Sequence, residues 1–166
     1  MSSADPIDTA WRIHSAIADW TGKVDAKASF TLTLESAVLV GVVALSSSGR
    51  RLGALSGFWE HVFYFVGVGL LLTGVLMAVW VVRPQLRRRF VAAEAKENFI
   101  YFGHLRHWHR DELVEVLQER DLLPILSNQL INMSEIAWQK HMLVRYSLSC
   151  AVVGTGLVAI AGVLAG

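Results

Sequence analysis

The side chains with the most evident chemistry lie in one short stretch, residues 104–110 (HLRHWHR). Its histidines, His104, His107 and His109, fall within six residues, a density that suggests metal ligands. A structural zinc site, however, needs four ligands at set spacings, and this stretch contains no Asp, Glu or Cys. Arg106 and Arg110 would also repel a cation. We therefore predict neither a metal site nor a cofactor here.

The motifs of nucleophilic and nucleotide-hydrolysing enzymes are missing from the sequence. It has no G-x-S-x-G elbow and no Walker or Rossmann glycine pattern. The formal net charge of the 166 residues is only +1, so no strong basic field predicts nucleic acid as a partner. We therefore expect a protein that is not an enzyme.

Anion binding is a third chemistry that these residues allow. Arg106, Lys27 and His104 supply basic groups, and Tyr101 and Trp108 supply flat aromatic faces. A phosphate with an attached base would use the guanidinium as a forked donor and a ring as a stacking platform. Alternatively, the rings anchor the segment at a lipid interface while the arginines meet headgroups, which composition alone favours.

The elements that must position these residues are membrane helices. Residues 62–82 (VFYFVGVGLLLTGVLMAVWVV) include no charge, and a helix of that length spans about 30 Å, the thickness of a bilayer core. Only 17% of the chain is charged, against about 25% in a soluble domain. Basic residues that mark a cytoplasmic end follow directly, at Arg83, Arg87, Arg88 and Arg89.

Two further stretches complete an all-α membrane protein with three transmembrane helices, at about residues 28–46, 60–82 and 146–165. The first contains Glu35, and a charge at mid-span costs about 2.5 to 3.5 kcal/mol unless it is paired, protonated or facing water. Glu35 therefore either lines an aqueous path or seam, or lies hydrogen-bonded just below the interface. The third span is rich in small residues that let helices approach closely. We expect it to pack through Ser147, Ala151, Gly154, Thr155 and Ala159.

The remaining sequence predicts a single domain built around these spans. Residues 1–27 are expected to form a cytoplasmic amphipathic helix, started by Asp5 and Pro6, with an apolar stripe. Residues 28–82 form a two-span hairpin with a tight connection at 46–57, and residues 142–166 hold the third span. The apolar stripe comprises Ile13, Ile17, Trp20 and Val24.

Residues 83–141 are expected to form a small cytoplasmic helical segment. Pro84 should end or kink the second span, after which a helix resumes over residues 85–97. Residues 99–108 are expected to form an extended or looping piece on apolar surface, and residues 111–120 a short amphipathic helix. A long helix then runs from about Pro124 into the third span. The excess of Lys and Arg in this segment favours a cytoplasmic location for it and for the N-terminus, with the 46–57 connection outside.

Three stretches of the sequence resemble a known family: VDAKASFTLTLESAVLVGV, IYFGHLRHW and LLPILSNQLINMSEIAWQKHMLVRYSL. Their more specific parts are Asp25-x-Lys27-Ala28-Ser29, Tyr101-Phe102-Gly103-His104 and Ser134-x-Ile136-Ala137-x-x-Lys140. From about Trp11 to Leu164, the chain resembles the transmembrane Pycsar effectors (PycTM-like proteins) of bacterial anti-phage defence.

The resemblance implies an effector in the bacterial cytoplasmic (inner) membrane. In that family a partner cyclase makes cyclic UMP or cyclic CMP on infection, and the effector impairs the membrane and stops growth. With such a ligand, we expect phosphate at Arg106 or Lys27, near His104, and a base stacked on Tyr101 or Trp108. The base edge is assigned to Asn128, Gln129 or Asn132. The small-residue face of the third span favours a homo-oligomer.

Two other classes stay open on the sequence. One is a membrane scaffold that holds a partner through its cytoplasmic helices and binds no nucleotide. The other is a small channel subunit with a permanent path along Glu35. Neither requires a catalytic residue.

Overall fold

The structure, a computed structural model, describes residues 5–47, 51–84 and 95–165. Its elements are α1 (Pro6–Leu45), a 3₁₀ turn (Arg51–Gly53), α2 (Phe58–Val82), a second 3₁₀ turn (Ala95–Glu97), α3 (Phe102–Leu105), α4 (Arg110–Glu119) and α5 (Leu122–Leu164). Helices α1, α2 and α5 are each long and apolar enough to cross a membrane. Since the described ranges hold no strand, the predicted all-α protein with three membrane helices is confirmed.

The chain divides into two compact units. The polar unit comprises Met1–Gly22 and Pro84–Gln139, and the span unit comprises Lys23–Arg83 and Lys140–Gly166. Helices α1 and α5 each contribute residues to both units.

The N-terminal region differs from the prediction of a separate amphipathic helix. Residues 6–45 form one helix of 40 residues, and the expected stripe is not kept on one buried face. Ile17 and Val24 are buried, whereas Ile13 and Trp20 are 46% and 56% exposed. Gly22 costs a helix only about 1 kcal/mol, and no proline follows it, so nothing in the sequence separates the two parts.

The starts of the long helices use side-chain caps. Asp5 accepts a hydrogen bond from the backbone N–H of Ile7 (3.0 Å), which confirms the predicted start of α1. Asp121 does the same for Leu123 (3.0 Å), so α5 begins two residues before Pro124. Pro124 is tolerated in the first turn because the N–H groups there have no partner within the helix.

The connection between α1 and α2 is short, as predicted, and its far end is fixed by Glu60. The Glu60 carboxylate accepts hydrogen bonds from the backbone N–H groups of Ser56 (2.8 Å) and Gly57 (3.1 Å). Helix α2 then runs to Val82, and Pro84 follows it outside the helix, as expected.

The segment that follows α2 departs from the prediction in one place. Most of the helix expected over residues 85–97, together with Arg87, Arg88 and Arg89, lies outside the described residues. Residues 99–108 form an irregular piece, as predicted, but it contains the short helix α3. The short amphipathic helix expected over 111–120 is present as α4.

In the span unit, the buried positions of the three long helices repeat at intervals of three, four or seven residues. An average spacing of 3.5 residues is that of helices that wind around each other in a left-handed sense. The seam therefore follows a heptad pattern. Its members are residues 24, 28, 31, 35 and 42 on α1, residues 67, 71, 74, 78 and 81 on α2, and residues 140, 144, 147, 154, 158 and 161 on α5.

Candidate functional site

In the polar unit, Trp108 holds the irregular piece that precedes α4. Its indole N–H donates a hydrogen bond to the carbonyl oxygen of Asn98 (3.2 Å). Its ring meets Phe99 edge to face, with centroids 6.2 Å apart. Phe99 is buried, so the irregular piece packs around an apolar side chain of its own.

The Tyr101-Phe102-Gly103-His104 stretch is packed around the tyrosine ring. His104 is buried and lies edge to face against Tyr101, with centroids 5.3 Å apart. A Cβ atom at Gly103 would collide with the same ring. The glycine is therefore needed for the ring to fold back over α3.

The predicted ligand residues of the polar unit lie on several elements. Arg106 is exposed beyond α3, and its Nε donates to Nε2 of His107 (3.1 Å). Tyr101 and Trp108 are half-buried, and their ring contacts are with different neighbours. On α5, Asn128 is exposed, and Gln129 and Asn132 are half-buried.

Lys27, the other predicted phosphate ligand, belongs to the span unit, where it is exposed on α1. The polar unit also places a cation and an aromatic ring beside one depression. A shallow depression on α1 is lined by Asp8, Trp11, Arg12 and Ser15. The sequence reasoning missed it, although the adjacent Trp11 and Arg12 carry the same pair of chemical groups.

The histidines of residues 104–109 do not come together as ligands. His104 is buried against Tyr101, whereas His107 and His109 are exposed. Among residues 5–47, 51–84 and 95–165, no three His, Cys, Asp or Glu side chains are grouped closely enough to hold a metal ion.

In the span unit, Asp25 and Lys140 form an ion pair between α1 and α5. The ammonium group of Lys140 lies 2.6 Å from one carboxylate oxygen of Asp25 and 2.8 Å from the other. The side chain of Lys140 is 9% exposed and that of Asp25 39%. The pair closes one end of an apolar cluster formed by Val24, Ala28, Val81 and Val144.

This ion pair joins residues from two of the three specific stretches that carry the family resemblance. Asp25 opens the first of these stretches and Lys140 ends the last, 115 positions further along the chain. Both stretches were identified from the sequence, but the contact between them was not predicted. Their opposite charges, one before the first span and one before the third, were the available signal.

Further along the seam, Glu35 is buried among all three spans. Its Oε1 lies 3.0 Å from the hydroxyl oxygen of Ser147 on α5, which lies 2.9 Å from the carbonyl oxygen of Gly74 on α2. Glu35 is 1% exposed and Ser147 is fully buried. The carboxyl group has room because Gly74 has no side chain. A Cβ atom at position 74 would lie only 2.6 Å from Oε1 of Glu35.

Glycines also set the spacing between α2 and α5. A Cβ atom on Gly154 would stand 2.7 Å from the carbonyl oxygen of Gly67, and one on Gly67 would stand 2.8 Å from that of Gly154. The two backbones thus touch directly. In a bilayer, where lipid is as apolar as a protein core, such close approach and interhelical hydrogen bonds hold helices together.

The other residues of α5 that were predicted to pack lie away from the contact between Gly67 and Gly154. Ala151 is half-buried, and Thr155 and Ala159 are exposed. A step of four residues advances about 400° around a helix, so a stripe repeating every four positions drifts by about 40° per step. Thr155 and Ala159 instead line an apolar cavity of about 330 Å³ together with α1 residues that include Val38 and Gly41.

Three apolar helices that are joined by a closely packed seam with an internal carboxyl group define a small multi-pass membrane protein. Comparison with protein families matches residues 9–166 to PycTM, the Pycsar effector protein domain. The chain therefore belongs to the Pycsar transmembrane effector family, as the resemblance predicted. Neither the comparison with curated proteins nor the one with solved structures found a match.

Family membership gives the general role of the protein. It is a membrane effector of the Pycsar anti-phage system, in which a cyclic nucleotide links a partner cyclase to the effector.

Proposed function

We propose that the protein is activated by cyclic UMP or cyclic CMP and then impairs the integrity of the bacterial inner membrane, which arrests growth before phage mature. The observation that supports this most directly is the family match, which extends over residues 9–166 and so includes both units. The polar unit would receive the nucleotide, and the span unit would change the state of the membrane.

The polar unit has the chemistry that a cyclic mononucleotide needs. Arg106 is exposed and can meet a phosphate, and the half-buried rings of Tyr101 and Trp108 can stack on a base. His104 fixes the position of Tyr101, and the amides of Asn128, Gln129 and Asn132 can read the base edge. In this proposal Arg106 carries the largest share of the phosphate contact.

Helix α5 is the element that would transmit binding. It runs unbroken from Leu122 to Leu164, so the proposed base-reading amides and the seam residue Ser147 stand on one helix. A ligand moves an equilibrium only by its difference in affinity between two states. We propose that the nucleotide favours the state in which α5 separates from the other spans, within a homo-oligomer in which a second copy covers the apolar cavity lined by Thr155 and Ala159.

Binding is tested by calorimetric and thermal-shift titration of the purified protein against cyclic UMP, cyclic CMP, cyclic AMP and cyclic GMP. A pyrimidine nucleotide should raise the unfolding temperature, since a ligand of the folded state stabilises it by mass action. Arg106→Ala should weaken binding about tenfold or more, the effect of losing a hydrogen bond to a charged group. Lys96→Ala removes an exposed cation of the same unit and should leave the affinity unchanged.

For the rings, Trp108→Ala should weaken binding, and Trp138→Ala is the matched control because Trp138 is 70% exposed on α5. Membrane damage is tested by dye release from liposomes that contain the protein. Release that requires a pyrimidine nucleotide supports the proposal. No thermal shift with any nucleotide would point to a scaffold, and dye release without nucleotide would point to a constitutive channel.

A further inference from the structure

The hydroxyl group of Ser147 lies between two oxygen atoms inside the span unit. One is Oε1 of Glu35, at 3.0 Å, and the other is the carbonyl oxygen of Gly74, at 2.9 Å. The second oxygen of the Glu35 carboxyl group is buried and has no hydrogen-bond partner among the residues that the structure describes. Each of the two contacts of Ser147 is a hydrogen bond only if one of its two oxygen atoms carries a proton and donates it to the other.

A count of protons distinguishes the two states of the carboxyl group. A serine hydroxyl has one proton to donate, and a carbonyl oxygen can only accept. If Glu35 were ionised, its Oε1 and the carbonyl oxygen of Gly74 would compete for the single proton of Ser147, and one of the two short contacts would not be a hydrogen bond. If Glu35 carries a proton, it donates to Ser147, which donates to Gly74, and both contacts are satisfied.

The surroundings also favour a neutral carboxyl group, because an unpaired charge buried in an apolar interior is very costly. On α1, the nearest charged residues are Lys27 and Asp25, eight and ten positions earlier, about 12 and 15 Å along the axis. Asp25 is already paired with Lys140. None of these can neutralise an ionised Glu35.

The charges on the other two spans are distant, paired or exposed. On α2, the nearest charge is Arg83, nine positions beyond Gly74, which is about 14 Å. On α5, Lys140 lies seven positions before Ser147, about 10.5 Å along the axis, and is paired with Asp25. Arg145 lies two positions before Ser147, about 200° around the helix from it, and is exposed, as are Tyr146 and His141, while Cys150 is half-buried.

We propose that Glu35 is a proton-binding site of the resting protein. A neutral carboxylic acid donates to Ser147 and Ser147 to Gly74, so one chain of hydrogen bonds joins α1, α5 and α2. When α5 separates, water reaches the group, the O–H bond of the acid breaks, and the proton passes to water. The carboxylate left behind must take up a proton again before it returns to the dry seam, so the open state is favoured at neutral pH. This last step rests on the proposed function; the resting proton does not.

The proton is tested on the whole protein in lipid nanodiscs, without nucleotide, by infrared spectroscopy in H₂O and D₂O at pH 7. The wild-type protein should show the C=O stretch of a buried, protonated carboxylic acid, shifted in D₂O. The band should disappear in Glu35→Gln and remain in Glu115→Gln, a control at an exposed carboxylate of α4. A wild-type spectrum without this band would overturn the proposal, whatever the nucleotide does.

Stability provides a second measurement. The folded state would hold a proton that the unfolded chain, with an ordinary glutamate, has lost at neutral pH. The folding equilibrium constant should therefore fall as pH rises from 6 to 9, by up to tenfold per pH unit. Glu35→Gln keeps a donor toward Ser147 and cannot ionise, so it should fold well and lose this slope. An equal slope in Glu35→Gln would contradict the proposal.

The loss of the proton from Glu35 on opening is tested separately, by dye release from liposomes. Glu35→Gln should reduce nucleotide-triggered dye release, because its seam closes without the uptake of a proton, while nucleotide binding in the polar unit is unchanged. Wild-type release in Glu35→Gln would overturn the release step. If the wild type showed the infrared band but bound no nucleotide, the proposed function would fail and the proton site would stand.

Discussion

At the scale of residues, the ion pair between Lys140 and Asp25 is asymmetric. The ammonium group is the buried partner, with a side chain 9% exposed, while the carboxylate retains access to water at 39%. A buried charge that loses its partner keeps the full cost of its lost hydration, whereas a half-exposed charge recovers hydration from solvent. The two members of the pair should therefore respond differently to substitution.

We predict that Asp25→Asn lowers the free energy of unfolding by about 1–3 kcal/mol, because it leaves Lys140 buried without its counterion. Lys140→Met should cost less than about 1 kcal/mol, since it leaves a half-exposed carboxylate. The double variant should resemble Lys140→Met alone. The measurement is unfolding in mixed micelles, with Lys27→Met as a control for loss of an exposed cation close to Asp25. Equal costs for the two single variants would contradict this account.

The packing of the segment around Tyr101 depends on a single residue, Gly103. Gly103 leaves the space that the tyrosine ring occupies, and the ring in turn covers His104. A larger residue at position 103 would displace the ring that the proposed function assigns to base stacking. The effect of such a change on nucleotide binding would therefore come through Tyr101.

At the scale of elements, the three spans are held by shape more than by hydrophobicity. Most of each span faces outward, and only a heptad seam is buried. The tightest part of this seam is the contact of α2 with α5 at Gly67 and Gly154, where each glycine meets the backbone of the other helix. Two positions from each of these glycines lies another, Gly69 or Gly156. An added Cβ atom there would have no atom of the described part of the chain within 4 Å.

These neighbours give a matched test of helix contact. Gly67→Ala and Gly154→Ala should each lower the free energy of unfolding by about 1–3 kcal/mol, because the new methyl group must push the helices apart. Gly69→Ala and Gly156→Ala should be neutral or stabilising by up to about 1 kcal/mol, the difference in helix propensity. Unfolding in mixed micelles measures all four. Similar values for the two pairs would mean that the backbones do not touch.

At the scale of the whole molecule, the distribution of Lys and Arg predicts its orientation in the membrane. The polar unit is expected on the cytoplasmic side, where a nucleotide made in the cell would reach it, and the connection before α2 on the other side. This orientation can be tested by cysteine labelling. The chain has a single cysteine, Cys150, so its replacement by serine leaves a background without cysteine.

In a Cys150→Ser background, Ser56→Cys should react with a membrane-impermeant maleimide in intact spheroplasts. Glu115→Cys should react only after the membrane is permeabilised, because α4 belongs to the polar unit. Both positions are exposed, and a permeant maleimide should label both equally. The reverse order of labelling would invert the topology and remove the polar unit from contact with a cytoplasmic nucleotide.

The sequence alone determined the number of spans, their approximate limits and the family. A run of 18 or more apolar residues is enough to identify a membrane helix, because the bilayer thickness fixes its length whatever it packs against. Helix starts at Asp5 and before Pro124 were also readable, since capping is a local interaction. The continuity of α1 was missed because its polar first half suggested a separate element, although Gly22 alone, with no proline after it, costs a helix only about 1 kcal/mol.

Only the tertiary structure decided which face of each span lies in the seam. In water, the apolar side of a helix points to its neighbours, but in lipid both sides are apolar, so hydrophobic periodicity carries little information. That is why Thr155 and Ala159 were predicted together with Ser147, and why Glu35 remained between two interpretations. Its hydrogen bond to Ser147 and the pairing of Asp25 with Lys140 join residues more than 100 positions apart, a distance over which the sequence specifies no geometry.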